Sequence, residues 1–212
     1  MNIKSFTFNP FQEYTYIIWD KTKECIIIDP GCYNHNERKE LIDFILNNQL
    51  TPKKLINTHC HIDHILGNKF VSDYFKLDLY AHKNELDILN MSKETANAYG
   101  LIHYQASPEI NCLINEGDII SFGEVSLDIL FTPGHSPGHI SLLNREEKII
   151  ISGDVIFQGS IGRTDLPGGD FNILIKSIKE KILILNDETT IYSGHGPNTK
   201  IGKEKISNPF LI

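Results

Sequence analysis

Apolar runs alternate with polar turns in the first half of the chain, and this pattern predicts short strands joined by tight turns. The runs richest in β-branched and aromatic residues are 3–8, 15–20 and 25–29. Segment 37–48 follows with apolar residues at helical spacing, and Asn34 or Asn36 is a candidate cap. The apolar run 54–58 then predicts a buried strand.

The second half of the chain repeats this order of hairpin strands followed by a helix. The predicted strands are 119–122, 125–131, 140–144, 148–153 and 190–193. Between the last two, segment 171–185 carries an apolar stripe typical of a helix. Strands and helices in this order, occurring twice, predict an α+β protein in which two sheets pack together with helices outside. Because no low-complexity linker interrupts the pattern, we predict a single domain over 1–212.

Composition and charge narrow the classes of function. The chain has 212 residues and a formal net charge of −7, and no run of Lys or Arg exceeds two residues. Binding to nucleic-acid phosphates requires clustered cations, so we expect no nucleic-acid partner. The apolar runs are far shorter than the roughly 18 residues that cross a bilayer, and no signal peptide is recognisable. We therefore expect a cytoplasmic protein with no membrane partner, whose four cysteines are reduced; composition assigns no oligomeric state.

The strongest chemical signal follows the predicted strand 54–58 directly. It is the segment Thr-His-Cys-His-Ile-Asp-His, which places His59, His61, Asp63 and His64 within six residues. In an extended backbone, residues two apart project to one side, so the first three of these side chains can converge. A helix starting near Asp63 would turn His64 towards a second, adjacent centre. Imidazole and carboxylate donors suit zinc, iron or manganese.

Three single residues follow other predicted strands in the same manner: His135, Asp154 and His195. Each comes after a strand and a small residue, so each can project from a strand's carboxyl end into a shared crevice. Together with the first cluster they make five histidines and two aspartates. This inventory is suited to two metal ions.

These residues resemble the signature of the metallo-β-lactamase-fold hydrolases, T-H-x-H-x-D-H followed by single His, Asp and His residues. The resemblance implies a four-layer αββα sandwich with a dinuclear site that holds two divalent metal ions, zinc first, with iron or manganese as alternatives. It also implies the ligand sets: His59, His61 and His135 for one metal, Asp63, His64 and His195 for the other, and Asp154 as a bridge between them.

The branch of the family is indicated by the residues around Asp154. Class B β-lactamases commonly carry Cys at that place, which disfavours antibiotic hydrolysis. Segments 153–159 and Gly-Arg-Thr-Asp at 162–165 resemble the short, single-domain glyoxalase II (hydroxyacylglutathione hydrolase) proteins. Full-length glyoxalase II has a C-terminal helical domain that binds glutathione. Since only 17 residues follow His195 in this chain of 212, we expect that domain to be absent.

The resemblance implies hydrolysis of a thioester, of the S-lactoylglutathione kind, by attack of metal-bound hydroxide. We expect Asp63 to be catalytic as well as a ligand, by orienting the hydroxide. The expected partner is a small anionic acyl-thiol substrate, and Arg163 corresponds to the glyoxalase II lysine that binds the substrate. Asp165 stands where that family carries Tyr, and its charge would repel a substrate carboxylate unless it pairs with Arg163.

Two other functions share this signature. One is a persulfide dioxygenase with a single iron, which shares a similar Gly-Arg-Thr-Asp segment. The other is a nuclease of the ribonuclease Z type, which the short, acidic chain disfavours. Of the remaining candidates, we expect His139 to support the site from behind the ligands, and Cys60 to pack in the core because it points away from its neighbouring histidines.

Overall fold

The first six strands form one mixed sheet in the computed structural model, which describes all 212 residues. The strands are β1 (Asn2–Phe8), β2 (Glu13–Trp19), β3 (Glu24–Ile28), β4 (Thr51–Ile56), β5 (Leu79–Ala81) and β6 (Ile110–Leu113). They pair in chain order, β1 to β3 antiparallel and β3 to β6 parallel. The three strands predicted at the start of the chain are confirmed, whereas β6 was not predicted because its residues show weak alternation.

Five short helices accompany this sheet. They are α1 (His35–Asn47), α2 (Ile62–Ile65), α3 (Asn68–Phe75), α4 (Leu86–Asn90) and α5 (Ser92–Ala98). Asn34 caps α1: its side chain accepts from the Glu37 amide, and Glu37 accepts from the Asn34 amide in return. Leu41, Ile42 and Ile45 form the buried face of α1, as the spacing predicted.

The second sheet is also six-stranded and mixed. Its strands are β7 (Ile119–Phe122), β8 (Val125–Phe131), β9 (Ile140–Asn144), β10 (Ile149–Gly153), β13 (Thr190–Ser193) and β14 (Thr199–Lys200), and a separate small hairpin is made of β11 (Ile156–Phe157) and β12 (Ser160–Ile161). The order across the sheet is β14-β13-β10-β9-β8-β7. The helices of this part are α6 (Phe171–Ser177), which continues as a π-helical turn over Ile178–Ile182, and α7 (Ile201–Ser207).

Strand direction in the second sheet brings three chain segments to one edge. β8 and β10 are both antiparallel to β9, so they run the same way, and β13 is parallel to β10. The carboxyl ends of β8, β10 and β13 therefore lie at the same edge of the sheet. The residues that follow these three ends include the predicted ligands His135, Asp154 and His195.

The chain divides into two compact units, one of Met1–Leu113 with Ser121–Val125 and the other of Ile114–Ile120 with Ser126–Ile212. Each has its own buried apolar cluster, centred on residues such as Ile27 and Leu55 in the first and Ile150 and Ile191 in the second. The α+β class with two sheets is confirmed, while the single-domain boundary at 1–212 stays a prediction. None of the helices has the length and apolar character needed to cross a membrane.

Truncation of a central core side chain should test this packing. Ile27 lies in the middle of β3 and is fully buried. We expect Ile27→Ala to lower the free energy of unfolding by about 2–5 kcal/mol, and Ile27→Val by about 0.5–1.5 kcal/mol, because the larger deletion leaves the larger cavity. Urea denaturation of both variants measures this. Ile206→Ala is the control, since Ile206 is exposed and its truncation leaves no cavity; equal losses in Ile27→Ala and Ile206→Ala would contradict the prediction.

Candidate metal centre

The first cluster of candidate ligands lies between the end of β4 and α2. His61 has an extended backbone and α2 begins at Ile62, so His61 occupies the cap position. Asp63 therefore lies in the first turn of a helix and not in the extended row with His59 and His61 that the spacing predicted. The start of α2 at Ile62 agrees with the helix predicted to begin near Asp63. Asp63 and His64 consequently face each other, with 3.6 Å between Asp63 Oδ2 and His64 Nε2.

The imidazoles of this cluster are oriented by a buried network behind them. His64 Nδ1 lies 3.2 Å from Asp29 Oδ2, and the Thr58 hydroxyl donates to the same carboxylate oxygen at 2.6 Å. Since that hydroxyl donates to Asp29, its oxygen accepts from His59 Nδ1 at 3.0 Å. Both histidines thus carry their proton on Nδ1 and keep the lone pair on Nε2, which is the form that binds a metal.

Asp29 holds this network from the carboxyl end of β3. Its residue adopts a left-handed conformation, with φ of 49°, and its side chain is almost fully buried. One carboxylate oxygen accepts from the Thr58 amide at 2.7 Å, and the other accepts from Thr58 Oγ1 and His64. With His59 and His64 it forms a group whose ligand atoms lie within 4.8 Å of one another. Because both oxygens already accept hydrogen bonds, Asp29 orients the histidines and is not counted among the ligands.

Cys60 is confirmed as a core residue. Its side chain is buried, and burial raises the pKa of its thiol well above the usual value. Its backbone amide donates to Glu85 Oε2 at 2.7 Å, from the 3₁₀ turn Lys83–Glu85. Glu85 is fully buried, so this carboxylate fixes the short segment between His59 and His61.

The second cluster consists of His135, Asp154 and His195, at the edge where β8, β10 and β13 end. Asp154 Oδ2 lies 3.6 Å from His135 Nε2 and 3.5 Å from His195 Nε2. His135 and Asp154 are buried, while the His195 side chain is 28% exposed. The structure therefore brings these three predicted ligands together within one unit, with the carboxylate between two imidazoles.

Backbone atoms around this cluster fix the ring orientations. His135 Nδ1 donates to the carbonyl oxygen of Arg163 at 2.7 Å, which directs His135 Nε2 towards Asp154. His139 is arranged the other way: its Nε2 accepts from the Asp154 amide at 3.1 Å, and its Nδ1 lies 3.1 Å from Thr132 Oγ1. His139 therefore positions Asp154 from behind, as predicted.

Two glycines allow the chain to pass close to this cluster. A Cβ on Gly162 would lie 1.9 Å from the carbonyl oxygen of Asp154 and 3.1 Å from His135 Nδ1. Gly134 has φ of +128°, and a Cβ there would lie 2.2 Å from the Leu174 amide nitrogen at the start of α6. Neither position has room for a side chain, so both glycines set the place of His135.

The donors fit divalent metal ions in type and spacing. Two donors bound at about 2.0–2.1 Å in tetrahedral geometry lie about 3.4 Å apart. The three nitrogen–oxygen distances, 3.6 Å to Asp63 and 3.6 and 3.5 Å to Asp154, are close to this value and too long for hydrogen bonds. The neutral imidazoles and carboxylates are donors for zinc, iron and manganese alike, so the metal's identity stays open.

Comparison with known proteins decides the family. The family model of the metallo-beta-lactamase superfamily matches residues 8–195 of the chain. The chain belongs to this superfamily. The predicted family and fold are thereby confirmed.

Proteins similar to this superfamily member include hydroxyacylglutathione hydrolase GloC of Haemophilus influenzae, at 40% identity over all of this chain and 98% of the relative. Among solved structures, the BLEG-1 B3 metallo-beta-lactamase has a TM-score of 0.89 at 36% identity and covers 99% of both chains. TTHA1623 in a di-iron-bound form has a TM-score of 0.88 at 34% identity, over 98% of this chain and all of that one.

Sequence reasoning missed the residues that orient the ligands. Asp29 and Glu85 are buried and polar but lie outside the spacing pattern that marks the candidate ligands. Thr58 is the first residue of that pattern but is not a typical metal donor. The available signal was an aspartate directly after the apolar strand β3, the same position that Asp154 occupies after β10. Glu13 was also missed: it is fully buried near the cluster, and burial raises the pKa of its carboxyl well above the usual value.

Substitution of Gly162 should weaken metal binding. We expect Gly162→Ala to lower metal affinity by about 10- to 100-fold, the effect typical of losing a partner that orients a ligand, because the added methyl displaces Asp154 or His135. Competition with a chromogenic chelator measures the affinity. Gly159→Ala, in the neighbouring turn between β11 and β12, is the control: a Cβ there meets nothing within 4 Å, so this variant carries only the backbone strain of a φ of +69°. Equal affinities in the two variants would show that the close approach does not position the ligands.

The cysteines should differ sharply in reactivity. Burial raises the pKa of Cys25 and of Cys32 to about 12, so at pH 8 about one molecule in ten thousand carries either thiolate. The half-buried Cys112 should therefore react first with iodoacetamide, at one equivalent per native chain. Peptide mapping by mass spectrometry identifies the modified site, and urea-denatured protein, in which all four thiols react, is the control. Labelling of Cys25 or Cys32 as fast as Cys112 would contradict this prediction.

Proposed function

We propose that the protein is a metal-dependent hydrolase in which the two clusters bind two divalent metal ions. The observation that carries the proposal is the orientation of the imidazoles: the contacts to Asp29, Thr58 and the Arg163 carbonyl place a proton on Nδ1 and leave Nε2 as a donor. The proposed ligands are those of the family signature, His59, His61, Asp63, His64, His135, Asp154 and His195. The di-iron form of TTHA1623 supports two ions, and zinc is the first candidate here, with iron or manganese as alternatives.

The proposed substrate is a small thioester. Bound divalent ions supply hydroxide near neutral pH and polarise a carbonyl group. The chain's own part would be to hold that chemistry in place: Asp63, from the first turn of α2, would bind a metal ion and orient the attacking hydroxide. A thiolate leaves readily because its conjugate acid has a pKa near 8.5, so no separate general acid is needed. GloC, named as a hydroxyacylglutathione hydrolase, supports this substrate class.

A β-lactam is the second candidate substrate. Asp154 in place of a cysteine disfavoured this class in the sequence, yet BLEG-1, at 36% identity, is named as a B3 metallo-beta-lactamase. Hydrolysis of either substrate is attack on an acyl carbon with release of a heteroatom, so the same donors serve both reactions. The persulfide dioxygenase and the nuclease stay predictions, to be separated by experiment.

Activity of the metal-loaded protein tests the proposal. We expect protein with two equivalents of zinc, iron or manganese to hydrolyse S-lactoylglutathione or a related thioester. The rate is measured from the thiol that is released. Asp63→Asn should lower kcat by about 10- to 100-fold, since the amide lacks the charge and one of the two acceptor oxygens with which the carboxylate would hold the hydroxide. His61→Gln should lower the metal content, whereas His35→Gln, on an exposed residue at the start of α1, should change neither quantity.

The same panel distinguishes the alternatives. Nitrocefin turnover above thioester turnover would favour the β-lactam. One iron per chain, together with consumption of dissolved oxygen when glutathione persulfide is the substrate, would favour the dioxygenase. Cleavage of a transfer-RNA precursor would favour the nuclease. Absence of thioester hydrolysis with all three metals would overturn the proposed reaction.

A further inference from the structure

An exposed ion pair lies on the loop that follows β12. Arg163 Nε is 2.7 Å from Asp165 Oδ1, and Arg163 Nη2 is 2.6 Å from Asp165 Oδ2. The two side chains thus form a bidentate pair, the arrangement in which a guanidinium matches a carboxylate best. Both remain more than half exposed, at 57% and 67%. Asp165 therefore does pair with Arg163, the case that the sequence left open.

The pair is anchored directly to the second cluster. The Arg163 carbonyl accepts the His135 Nδ1 proton at 2.7 Å, and the preceding Gly162 lies against the Asp154 carbonyl without room for a side chain. The loop therefore holds the ion pair a short distance from two candidate ligands. The hydrogen bonds from Arg163 lower the pKa of Asp165 to about 2. Asp165 is consequently ionised throughout the physiological pH range.

The charge of the pair determines what it attracts. A single guanidinium beside the cluster would favour carboxylates, since it is always charged and offers five donors. The Asp165 carboxylate cancels that charge and also engages one side of the guanidinium. A substrate carboxylate approaching Arg163 must then approach Asp165 at nearly the same distance.

We propose that Asp165 is a specificity-determining residue that weakens binding of acyl-thiols carrying a carboxylate near the thioester and so favours uncharged ones. This inference rests on the proposed function for the reaction. The selection between charged and uncharged molecules, however, takes place when they bind and can be measured without hydrolysis. The proposal also revises the expectation that Arg163 binds an anionic substrate: Arg163 would bind a carboxylate only weakly while Asp165 is present.

A series of charge variants tests the proposal. Asp165→Asn makes the pair positive, Arg163→Gln makes it negative, and the double variant is neutral like the native pair. The probes are S-acetyl-3-mercaptopropionate and its uncharged N-methylamide, which share the scissile bond. Two thioethers, 3-(propylthio)propanoate and its N-methylamide, serve as non-hydrolysable ligands for binding by calorimetry, with and without added zinc.

The measured quantity is the preference for the anionic over the uncharged probe, as a ratio of kcat/KM values or of Kd values. We expect Asp165→Asn to raise this ratio about three- to tenfold, as expected for one unit charge at about 6 Å when solvent exposure keeps the effective dielectric constant at about 40–80. Arg163→Gln should lower it, and the double variant should lie near the native value. The differences should shrink at about 0.5 M salt, where exposed charges are screened.

Glu188→Gln is the matched control. Glu188 pairs with Lys200 at 2.7 Å and is similarly exposed, but it lies before the amino end of β13, whereas His195 follows the carboxyl end. This variant changes the net charge of the protein as Asp165→Asn does. We expect it to leave the ratio unchanged, which separates a local effect from overall charge.

The outcomes separate this inference from the proposed reaction. A thioether binding ratio that follows the charge series supports the inference even if no thioester is hydrolysed. Ratios that stay within twofold across the series, for hydrolysis and for binding, would overturn it even if the protein is an active thioesterase. A ratio that rises equally in Glu188→Gln would also overturn it, because the effect would then not be specific to the pair.

Discussion

The buried carboxylate of Asp29 is the contact on which the first cluster depends. It accepts the Thr58 amide and hydroxyl as well as the His64 imidazole, and through Thr58 it reaches His59. Two parallel strands, β3 and β4, place these residues at one sheet edge. Removal of a buried carboxylate would leave several donors without an acceptor, which costs more free energy than the bonds themselves contribute. The carboxylate thus links the end of β3 to the tautomers of two imidazoles.

In the second cluster, backbone atoms fix the orientation of the imidazoles, whereas a buried carboxylate does so in the first. The Arg163 carbonyl orients His135, and the Asp154 amide is held by His139. Here too the placement comes from strand direction, since β8, β10 and β13 end at a common edge. Each of the two units therefore carries candidate ligands at the carboxyl ends of its strands, with different groups fixing the rings.

The sequence predicted which candidate ligands come together better than it predicted what holds them. His59, His61 and His64 stand in a spacing that few structural roles require, and strand ends at Phe131, Gly153 and Ser193 could be read from apolar runs. Helix boundaries were harder: the helix predicted over 171–185 is an α-helix only to Ser177 and continues as a π-helical turn over Ile178–Ile182. Contacts such as Cys60 to Glu85 join residues 25 apart and have no local signature. They follow from tertiary packing alone.

Arg163 serves two purposes with two separate parts of one residue. Its main-chain oxygen fixes a histidine, whereas its side chain faces solvent beside Asp165. Any amino acid supplies the same carbonyl, provided that the preceding Gly162 is kept. The outer surface of this loop can therefore diverge among related proteins while the imidazole behind it keeps its orientation. In such a fold, substitutions on the outer surface of the loop can change which molecules bind during evolution, while the position of His135 stays the same.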